Sequence, residues 1–328
     1  MREALFYEPH PGGAHCRLCP KECVIGEGKA GFCRTRQNLG GVLYAKNYGA
    51  CTAYALDPIE KKPLYHFYPG SYIYSIGTWG CNFSCRFCQN WQIAQAEPDT
   101  VSLTPEQAVK MAAQAGKRNI GLAYTYSEPG VWYEFVRDTA QEARRHGLKN
   151  VLVTNGSINP EPLAELLPLM DAFNIDVKAF NETFYREVCA GRLADVKRTV
   201  ALAASAAHVE ITCLLIPGLN DRPDELAAMA EWLAGINQNI PLHVSRYFPS
   251  YRLSIPATPL STLESAYRAA RRHLPYVYVG NAGGDGVNTR CPSCSSVVID
   301  REKGISRLEN KSCPRCGEII PISGEIRF

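Results

Sequence analysis

The chain contains 328 residues, of which 46% are hydrophobic and 20% are charged. This composition is typical of globular proteins and excludes a disordered or fibrous chain, and the length fits one large domain with a smaller attachment or two ordinary domains. The formal net charge of +3 is too small to indicate a nucleic acid or an anionic membrane as the main partner. Because the chain has no apolar run of about 18 residues and no signal-peptide core, we expect a cytoplasmic protein without a membrane span.

Cysteine is the compositional anomaly, because eleven of the 14 cysteines lie in three clusters. In a reducing cytosol, closely spaced cysteines are more often metal ligands or redox groups than disulfides. The sequence therefore predicts metal centres. We call the three clusters the N-terminal cysteines (Cys16, Cys19, Cys23 and Cys33), the cysteine triad (Cys81, Cys85 and Cys88) and the C-terminal cysteines (Cys291, Cys294, Cys313 and Cys316).

Between residues 73 and 279, short β-branched or aromatic runs alternate with amphipathic helical stretches, which is the pattern of a parallel α/β sheet or barrel. The predicted strands are 72–77, 120–126, 150–154, 172–178, 209–216 and 242–248. The predicted helices are 104–116, 131–146, 160–169, 192–206, 223–234 and 260–273. The first helix opens with a capping box of Thr104 and Gln107. Six βα units are fewer than the eight of a complete TIM barrel, so we predict an open, partial (β/α)6 barrel with its reactive groups at the carboxyl ends of the strands.

Two segments lie outside this alternating pattern, and each carries its own cysteine cluster. We therefore divide the chain into an N-terminal cysteine-rich extension (1–70), the barrel (71–286) and a C-terminal zinc-ribbon-like module with two C-x2-C motifs (287–328).

The cysteine triad has the spacing C-x3-C-x2-C and follows the first predicted barrel strand. Three thiolates on a four-iron cluster leave one iron without a protein ligand, and an open metal position can bind a substrate or cosubstrate. The alternative is three buried cysteines, or part of a zinc site completed by a distant residue. Free thiols rarely cluster without a metal or redox reason, so the open cluster is the preferred interpretation.

The triad, with Phe87 as the aromatic residue before its last cysteine, resembles the C-x3-C-x-aromatic-C signature of the radical S-adenosylmethionine (SAM) superfamily. The run from Asp57 to Gly70, together with Ile76 to Cys81, further resembles the AmmeMemoRadiSam-system radical SAM enzymes, relatives of the pyruvate formate-lyase activating enzyme. This resemblance implies an oxidoreductase in which a [4Fe–4S] cluster on Cys81, Cys85 and Cys88 binds SAM. One electron then cleaves SAM, and the resulting 5′-deoxyadenosyl radical abstracts a hydrogen atom from a substrate.

Candidate SAM-binding residues follow from the same resemblance at the ends of the second to fourth strands. Ser127 and Glu128 occupy the place of the Gly-Gly-Glu-Pro motif, although the paired glycines are missing, and the alternative is a simple helix start. Asn155 lies in a Thr-Asn-Gly sequence that could equally be a turn. Asp176 and Lys178 resemble an Asp-x-Lys motif that holds the SAM carboxylate; a purely structural ion pair is the alternative.

Two further SAM contacts are implied on the last strands. Ile216 corresponds to an aliphatic side chain that packs against adenine. His243 is similar to a histidine near SAM in the activating enzymes, but a lone strand histidine is as often an ordinary core residue.

The C-terminal cysteines form two C-x2-C motifs 18 residues apart, which is typical of a closed tetrahedral structural site. We expect zinc there, with a rubredoxin-like iron as the alternative. The spacing of the N-terminal cysteines is less regular, and it leaves open a second, fully ligated Fe–S cluster or a zinc site. Three cysteines have no partner in the sequence: Cys51, Cys189 and Cys213.

The sequence does not identify the hydrogen donor. Two enzyme readings stay open: action alongside MEMO-type and AMMECR-domain proteins, or activation of a glycyl-radical enzyme. Both hypotheses require a one-electron donor such as flavodoxin or ferredoxin. Neither involves a nucleic acid partner. A non-catalytic adaptor with zinc in all three cysteine clusters is the alternative from another class.

Overall fold

A computed structural model describes residues 1–328 and contains one dominant sheet of eight strands. Its order is β16-β15-β14-β13-β12-β11-β9-β8, and the sheet does not close into a complete barrel. All neighbours pair in parallel except β8, which is antiparallel to β9. These strands are β8 (Ala53–Pro58), β9 (Tyr72–Gly77), β11 (Asn119–Tyr124), β12 (Lys149–Thr154), β13 (Ala172–Asp176), β14 (His208–Leu215), β15 (Leu242–Arg246) and β16 (Val277–Gly280).

Six longer helices connect the parallel strands and cover the sheet, as the alternating pattern predicts. Thr104 caps the first of them: its hydroxyl accepts from the Gln107 amide at 3.2 Å, and the Gln107 side chain accepts from the Thr104 amide at 2.8 Å. The helices are α1 (Trp91–Ala94), α2 (Pro105–Gln114), α3 (Tyr133–Arg145), α4 (Pro160–Leu166), α5 (Glu182–Phe184), α6 (Leu193–Ala204), α7 (Pro223–Ile236) and α8 (Leu260–Ala270). None of them has the length and apolar character needed to cross a bilayer.

The partial barrel and its α/β class are confirmed, with two strands beyond the six that the sequence predicts. β16 adds a seventh parallel strand; it is only four residues long, too short to stand out by periodicity. β8 lies within the segment 1–70, yet its whole length pairs with β9. The division of the chain at residue 70 therefore does not follow the edge of the sheet.

The N-terminal segment folds into small antiparallel sheets beside the barrel. One sheet has the order β1-β6-β5 and another the order β2-β3-β4, while β7 pairs with β10 from the barrel. The short strands are β1 (Arg2–Glu3), β2 (Tyr7–His10), β3 (Gly13–Cys16), β4 (Val24–Ile25), β5 (Arg36–Leu39), β6 (Val42–Ala45), β7 (Ala50–Cys51) and β10 (Val101–Ser102).

The C-terminal module is a three-stranded antiparallel ribbon that covers the amino-terminal end of the barrel. It consists of β17 (Thr289–Arg290), β18 (Val297–Asp300) and β19 (Ile305–Ser306). Val298 and Ile299 pack with Tyr65 and Tyr278 in a separate apolar cluster. The Arg301 guanidinium lies 4.2 Å from the Tyr65 ring centre and donates to the Tyr65 carbonyl at 2.6 Å. The ribbon is thus packed away from the barrel mouth.

Candidate active site

A pocket of about 630 Å³ opens at the carboxyl ends of the parallel strands. Its volume lies within the range of roughly 300–1,000 Å³ that is usual for small-molecule sites. The cysteine triad lines it, as do side chains in or directly after the last residues of five further strands. Nine of the predicted site residues are therefore brought together: Cys81, Cys85, Phe87, Cys88, Ser127, Glu128, Asn155 and the pair Asp176 and Lys178 on opposite sides of Val177.

Backbone hydrogen bonds to the segment after α5 shape the cysteine loop. The Ser84 amide donates to the Cys189 carbonyl at 2.9 Å, and the Arg86 amide donates to the Val188 carbonyl at 3.0 Å. The end of β9, where the loop begins, can lie close to the chain after β11 because Gly77 has no side chain: a Cβ there would lie 2.6 Å from the Thr125 carbonyl oxygen. The interaction of Cys85 with the Cys189 thiol, and burial, raise the pKa of Cys85. Cys189 has no signal in the sequence, because its partner is distant along the chain.

The spacing of the triad sulfurs suits a cluster better than a single ion. The three Sγ atoms border one pocket but do not all lie within 4.8 Å of one another. A single tetrahedral metal with bonds of about 2.3 Å requires sulfurs roughly 3.8 Å apart, whereas a cubane with a cysteine on each iron separates them by roughly 6 Å. Burial raises the pKa of Cys88 to about 11, so this thiol depends on a metal to take the place of its proton.

Lys178 is the cation of the pocket. Its Nζ donates to Asp176 Oδ2 at 2.8 Å and lies 5.9 Å from the Phe87 ring centre. Burial lowers the pKa of Lys178. The negative charge of Asp176, and that of Cys85 and Cys189 when they are deprotonated, outweighs this effect, so the pKa of Lys178 lies well above its usual value. The side chain is therefore a fixed positive charge beside the triad, suited to an anionic group of a ligand.

Glu128 connects the ends of two neighbouring strands. Its carboxylate accepts from the Thr154 hydroxyl at 2.6 Å, the Asn155 amide at 2.8 Å and the Gly130 amide at 2.8 Å. Burial raises its pKa, although these hydrogen bonds oppose the rise. With its oxygens occupied by the protein, Glu128 is a positioning residue for the pocket wall.

Two side chains extend this wall toward the triad. The side-chain nitrogen Nδ2 of Asn155 donates to Asn82 Oδ1 at 2.9 Å and lies 3.6 Å from Cys81 Sγ. The Ser127 hydroxyl is buried in the pocket without a hydrogen-bond partner. It is therefore available to a bound ligand.

Ile216 and His243 do not line this pocket. The chain turns at Ile216, whose amide donates to Asn220 Oδ1 at 2.6 Å, and Leu214 takes the place at the pocket wall. His243 faces the interior two residues before Ser245, one layer below the mouth, where its Nε2 is 2.6 Å from Glu210 Oε2. His243 therefore lies in the barrel floor in this structure, and its contact with SAM stays a prediction.

A second charged group in the pocket was not predicted from the sequence. The Lys62 ammonium donates to Asp57 Oδ2 at 2.8 Å, and the Tyr126 hydroxyl donates to the same oxygen at 3.0 Å. Burial raises the pKa of Asp57, but the hydrogen bond from Lys62 brings it below its usual value. The pair Asp57 and Lys62 belongs to the run that carries the family resemblance, and only the folding of β8 against β9 reveals that it faces the pocket.

The C-terminal cysteines form a compact metal-binding group. Their four Sγ atoms lie within 4.8 Å of one another, with Cys291 at 3.5 Å from Cys316 and Cys294 at 3.6 Å from Cys313. These distances match a tetrahedral site, in which sulfurs lie roughly 3.8 Å apart. The group could hold a single metal ion, and no other group of cysteine, histidine and carboxylate side chains in the chain is as compact.

Comparisons with known proteins identify the family to which the barrel is similar. Residues 75–233 match the Radical SAM superfamily. The chain is 44% identical to the uncharacterized protein MJ0808 of Methanocaldococcus jannaschii, over 98% of this chain and 99% of that protein. It is 25% identical to the pyruvate formate-lyase 1-activating enzyme of Escherichia coli K12, over 47% of this chain and 65% of that enzyme, which is less than two thirds of its length.

The fold has a counterpart among solved structures. Streptococcus suis SuiB bound to S-adenosylmethionine superposes with a TM-score of 0.51 at 12% identity, over 63% of this chain and 49% of that chain. This likeness concerns the fold alone. Because residues 75–233 match this family and the triad lies at the mouth of the partial barrel, the chain belongs to the radical SAM superfamily of enzymes. Membership of this superfamily implies a [4Fe–4S] cluster and SAM.

Proposed function

We propose that this protein cleaves SAM reductively and uses the resulting radical to abstract hydrogen from a substrate held in the same pocket. The observation that carries the proposal is the convergence of three cysteine sulfurs, a fixed cation and an unpaired hydroxyl in one pocket at the carboxyl ends of the strands. A bound [4Fe–4S] cluster would supply the electron that breaks a carbon–sulfur bond of SAM. Cys81, Cys85 and Cys88 would hold it.

The protein's own residues bind and orient the cosubstrate. Lys178 provides a cation for the SAM carboxylate, and Ser127 provides a hydroxyl for one of its polar groups. Glu128 keeps the ends of β11 and β12 together, so the pocket wall is fixed before the ligand binds. Asp57 and Lys62 offer a charged pair on another part of the wall, where a polar substrate could be recognised.

The substrate and partners belong to this proposal as well. The run from Asp57 to Gly70 favours a reaction alongside MEMO-type and AMMECR-domain proteins, with flavodoxin or ferredoxin as the electron donor. Similarity to the pyruvate formate-lyase 1-activating enzyme favours a protein glycine as the second candidate hydrogen donor. We further propose zinc for the C-terminal cysteines, because their spacing fits a closed tetrahedral site.

The test is SAM cleavage by anaerobically reconstituted protein reduced with dithionite. The wild type is expected to release 5′-deoxyadenosine and methionine, and Cys85→Ala is expected to lose this activity together with about half or more of its iron and sulfide. Cys51→Ala is the matched control, because Cys51 is also buried but lies outside the pocket. Unchanged cleavage by Cys85→Ala contradicts the proposal. Deuterated candidate substrates in the same assay identify the hydrogen donor by transfer of deuterium to 5′-deoxyadenosine.

A further inference from the structure

The N-terminal cysteines surround one small cavity next to the barrel. Cys16 ends β3, Cys19 and Cys23 lie in the β3–β4 connection, and Cys33 precedes β5. Three of the four are buried, and Cys23 is partly exposed. Although they are up to 17 positions apart in the chain, the two small sheets bring them to a single place, so they constitute one site.

The spacing of these sulfurs distinguishes between the two metals that the sequence leaves open. The C-terminal cysteines, a site for one ion, have all Sγ atoms within 4.8 Å of one another, whereas no three of the N-terminal cysteines are held this closely. A four-iron cubane separates its cysteine sulfurs by roughly 6 Å. The wider arrangement therefore fits a cluster better than zinc.

A buried arginine provides independent evidence for an anionic group in this cavity. Arg36 lines the cavity and is 1% exposed. Its Nη1 donates to Glu134 at 2.6 Å, but its Nε and Nη2 have no hydrogen-bond partner. Buried guanidinium donors normally find acceptors. Cluster sulfurs bound by four thiolates are negatively charged acceptors, and they would satisfy both nitrogens.

The N-terminal site is in contact with the cysteine triad. Gly80, directly before Cys81, has a φ of +89° and packs so closely that a Cβ there would lie 2.7 Å from the Cys33 carbonyl oxygen. Asn82 lines the cavity, interacts with the Cys19 thiol, and accepts at 2.9 Å from Asn155, whose amide nitrogen is 3.6 Å from Cys81 Sγ. A short path of side chains thus connects the two cysteine sites.

We propose that the N-terminal cysteines bind a second [4Fe–4S] cluster with a cysteine on every iron, and that it exchanges single electrons with the cluster at the triad. Since all four irons carry protein ligands, this cluster has no open position for a substrate, and electron transfer is the chemistry left to it. One electron passes from the reduced N-terminal cluster to the oxidised triad cluster without bond changes or proton transfer. A low-potential one-electron donor, reduced flavodoxin or ferredoxin, replaces that electron.

The site itself can be tested without any SAM cleavage. A variant with Cys81, Cys85 and Cys88 all changed to Ala is reconstituted anaerobically with iron and sulfide, and iron, zinc and acid-labile sulfide are counted per chain. We expect about four sulfides in this variant and about eight in the wild type and in Cys51→Ala. A triad variant without sulfide overturns the proposal, whether it holds a second zinc ion beside the one expected at the C-terminal cysteines or no further metal. Sulfide counts are insensitive to the C-terminal cysteines, because a mononuclear site contains none.

The electron exchange depends in part on the proposed function, and a second measurement tests it separately. Electron paramagnetic resonance spectra are recorded for the fully reduced wild type, the triad variant and a Cys19→Ala/Cys33→Ala variant. We expect the wild-type signal to be broader than the sum of the two variant signals, since neighbouring paramagnetic clusters interact. A wild-type spectrum equal to that sum overturns the exchange. Failure of the proposed function gives a different result: the wild-type protein contains both clusters but forms no 5′-deoxyadenosine.

Discussion

At the scale of single residues, the charges in the pocket are held by partners of opposite charge or by the backbone. Lys178 is paired with Asp176 at 2.8 Å, and the Lys178 carbonyl accepts at 2.6 Å from Asn220. A buried cation without a partner would be costly. The pair therefore allows a positive charge to remain beside the triad until an anionic ligand group is bound.

Replacement of this cation tests its role in SAM binding. Lys178→Met is expected to raise the KM for SAM by about 10- to 100-fold, because a hydrogen bond to a charged group contributes roughly 1.5–3 kcal/mol. The iron content should be unchanged, since Lys178 is not a cluster ligand. The measurement is the SAM dependence of 5′-deoxyadenosine formation, with the exposed Lys110→Met as control. An unaltered KM would show that Lys178 serves only to neutralise Asp176.

At the scale of elements, polar side chains at the strand ends fasten one strand to the next. Glu128 follows β11 and accepts from Thr154 and Asn155 at the end of β12, while the Asn220 side chain, which follows β14, donates to the Lys178 carbonyl after β13 at 2.6 Å. Parallel strands of an open barrel have no closing neighbour at their edges, so these contacts fix the geometry of the loops that carry the site.

Loss of the Glu128 carboxylate should loosen this end of the sheet. Glu128→Gln replaces one acceptor oxygen with a donor nitrogen, which leaves a buried amide or hydroxyl without its acceptor and costs about 1–3 kcal/mol of unfolding free energy. Denaturant unfolding of anaerobically prepared protein measures this loss. Glu231→Gln on the exposed side of α7 is the matched control, and equal stability of both variants would rule out the positioning role.

At the scale of the whole molecule, the C-terminal ribbon seals a buried polar layer at the barrel floor. The Glu210 carboxylate accepts from the His66 amide at 2.7 Å and lies within hydrogen-bonding distance of His208 and His243. The His66 Nε2 is 2.6 Å from the Tyr278 hydroxyl, and the His66 Nδ1 is 3.1 Å from the Pro321 carbonyl. Residues from three distant parts of the chain thus share one network.

This network makes stability depend on pH. Burial lowers the pKa of His66 from 6.5 to about 3, so the folded protein keeps this ring neutral while the unfolded chain protonates it. The resulting stability is complete above pH 6.5 and is lost as the pH falls toward 3, by at most about 1.4 kcal/mol per pH unit. Carboxylates of lowered pKa, such as Glu210, contribute in the same direction only at lower pH, near and below the usual glutamate range.

The dependence is measured as unfolding free energy of cluster-loaded protein between pH 7.5 and about 5.5. The slope over this range should be shallower in His66→Gln than in the wild type and unchanged in His10→Gln, an exposed histidine. Equal slopes in all three proteins contradict the assignment of this pH dependence to His66.

The sequence by itself determined the parts of the protein that depend on local pattern. The alternation of β-branched and amphipathic segments is a local property of the chain, and so are the Thr104 cap and the spacing of the cysteine triad. From these the α/β class, six of the parallel strands and the location of the mouth could be predicted.

Only the tertiary structure decided which distant side chains meet. Asp57 and Lys62 face the pocket because β8 folds back antiparallel on β9, and His243 lies in the floor because it is one layer below Ser245 on the same strand. The contact of Arg36 and Asn82 with the N-terminal cysteines likewise depends on how separate sheets pack. Spacing along the chain specifies neighbours within one loop or strand, whereas long-range packing specifies the distances between sulfurs, charges and strands that determine the chemistry.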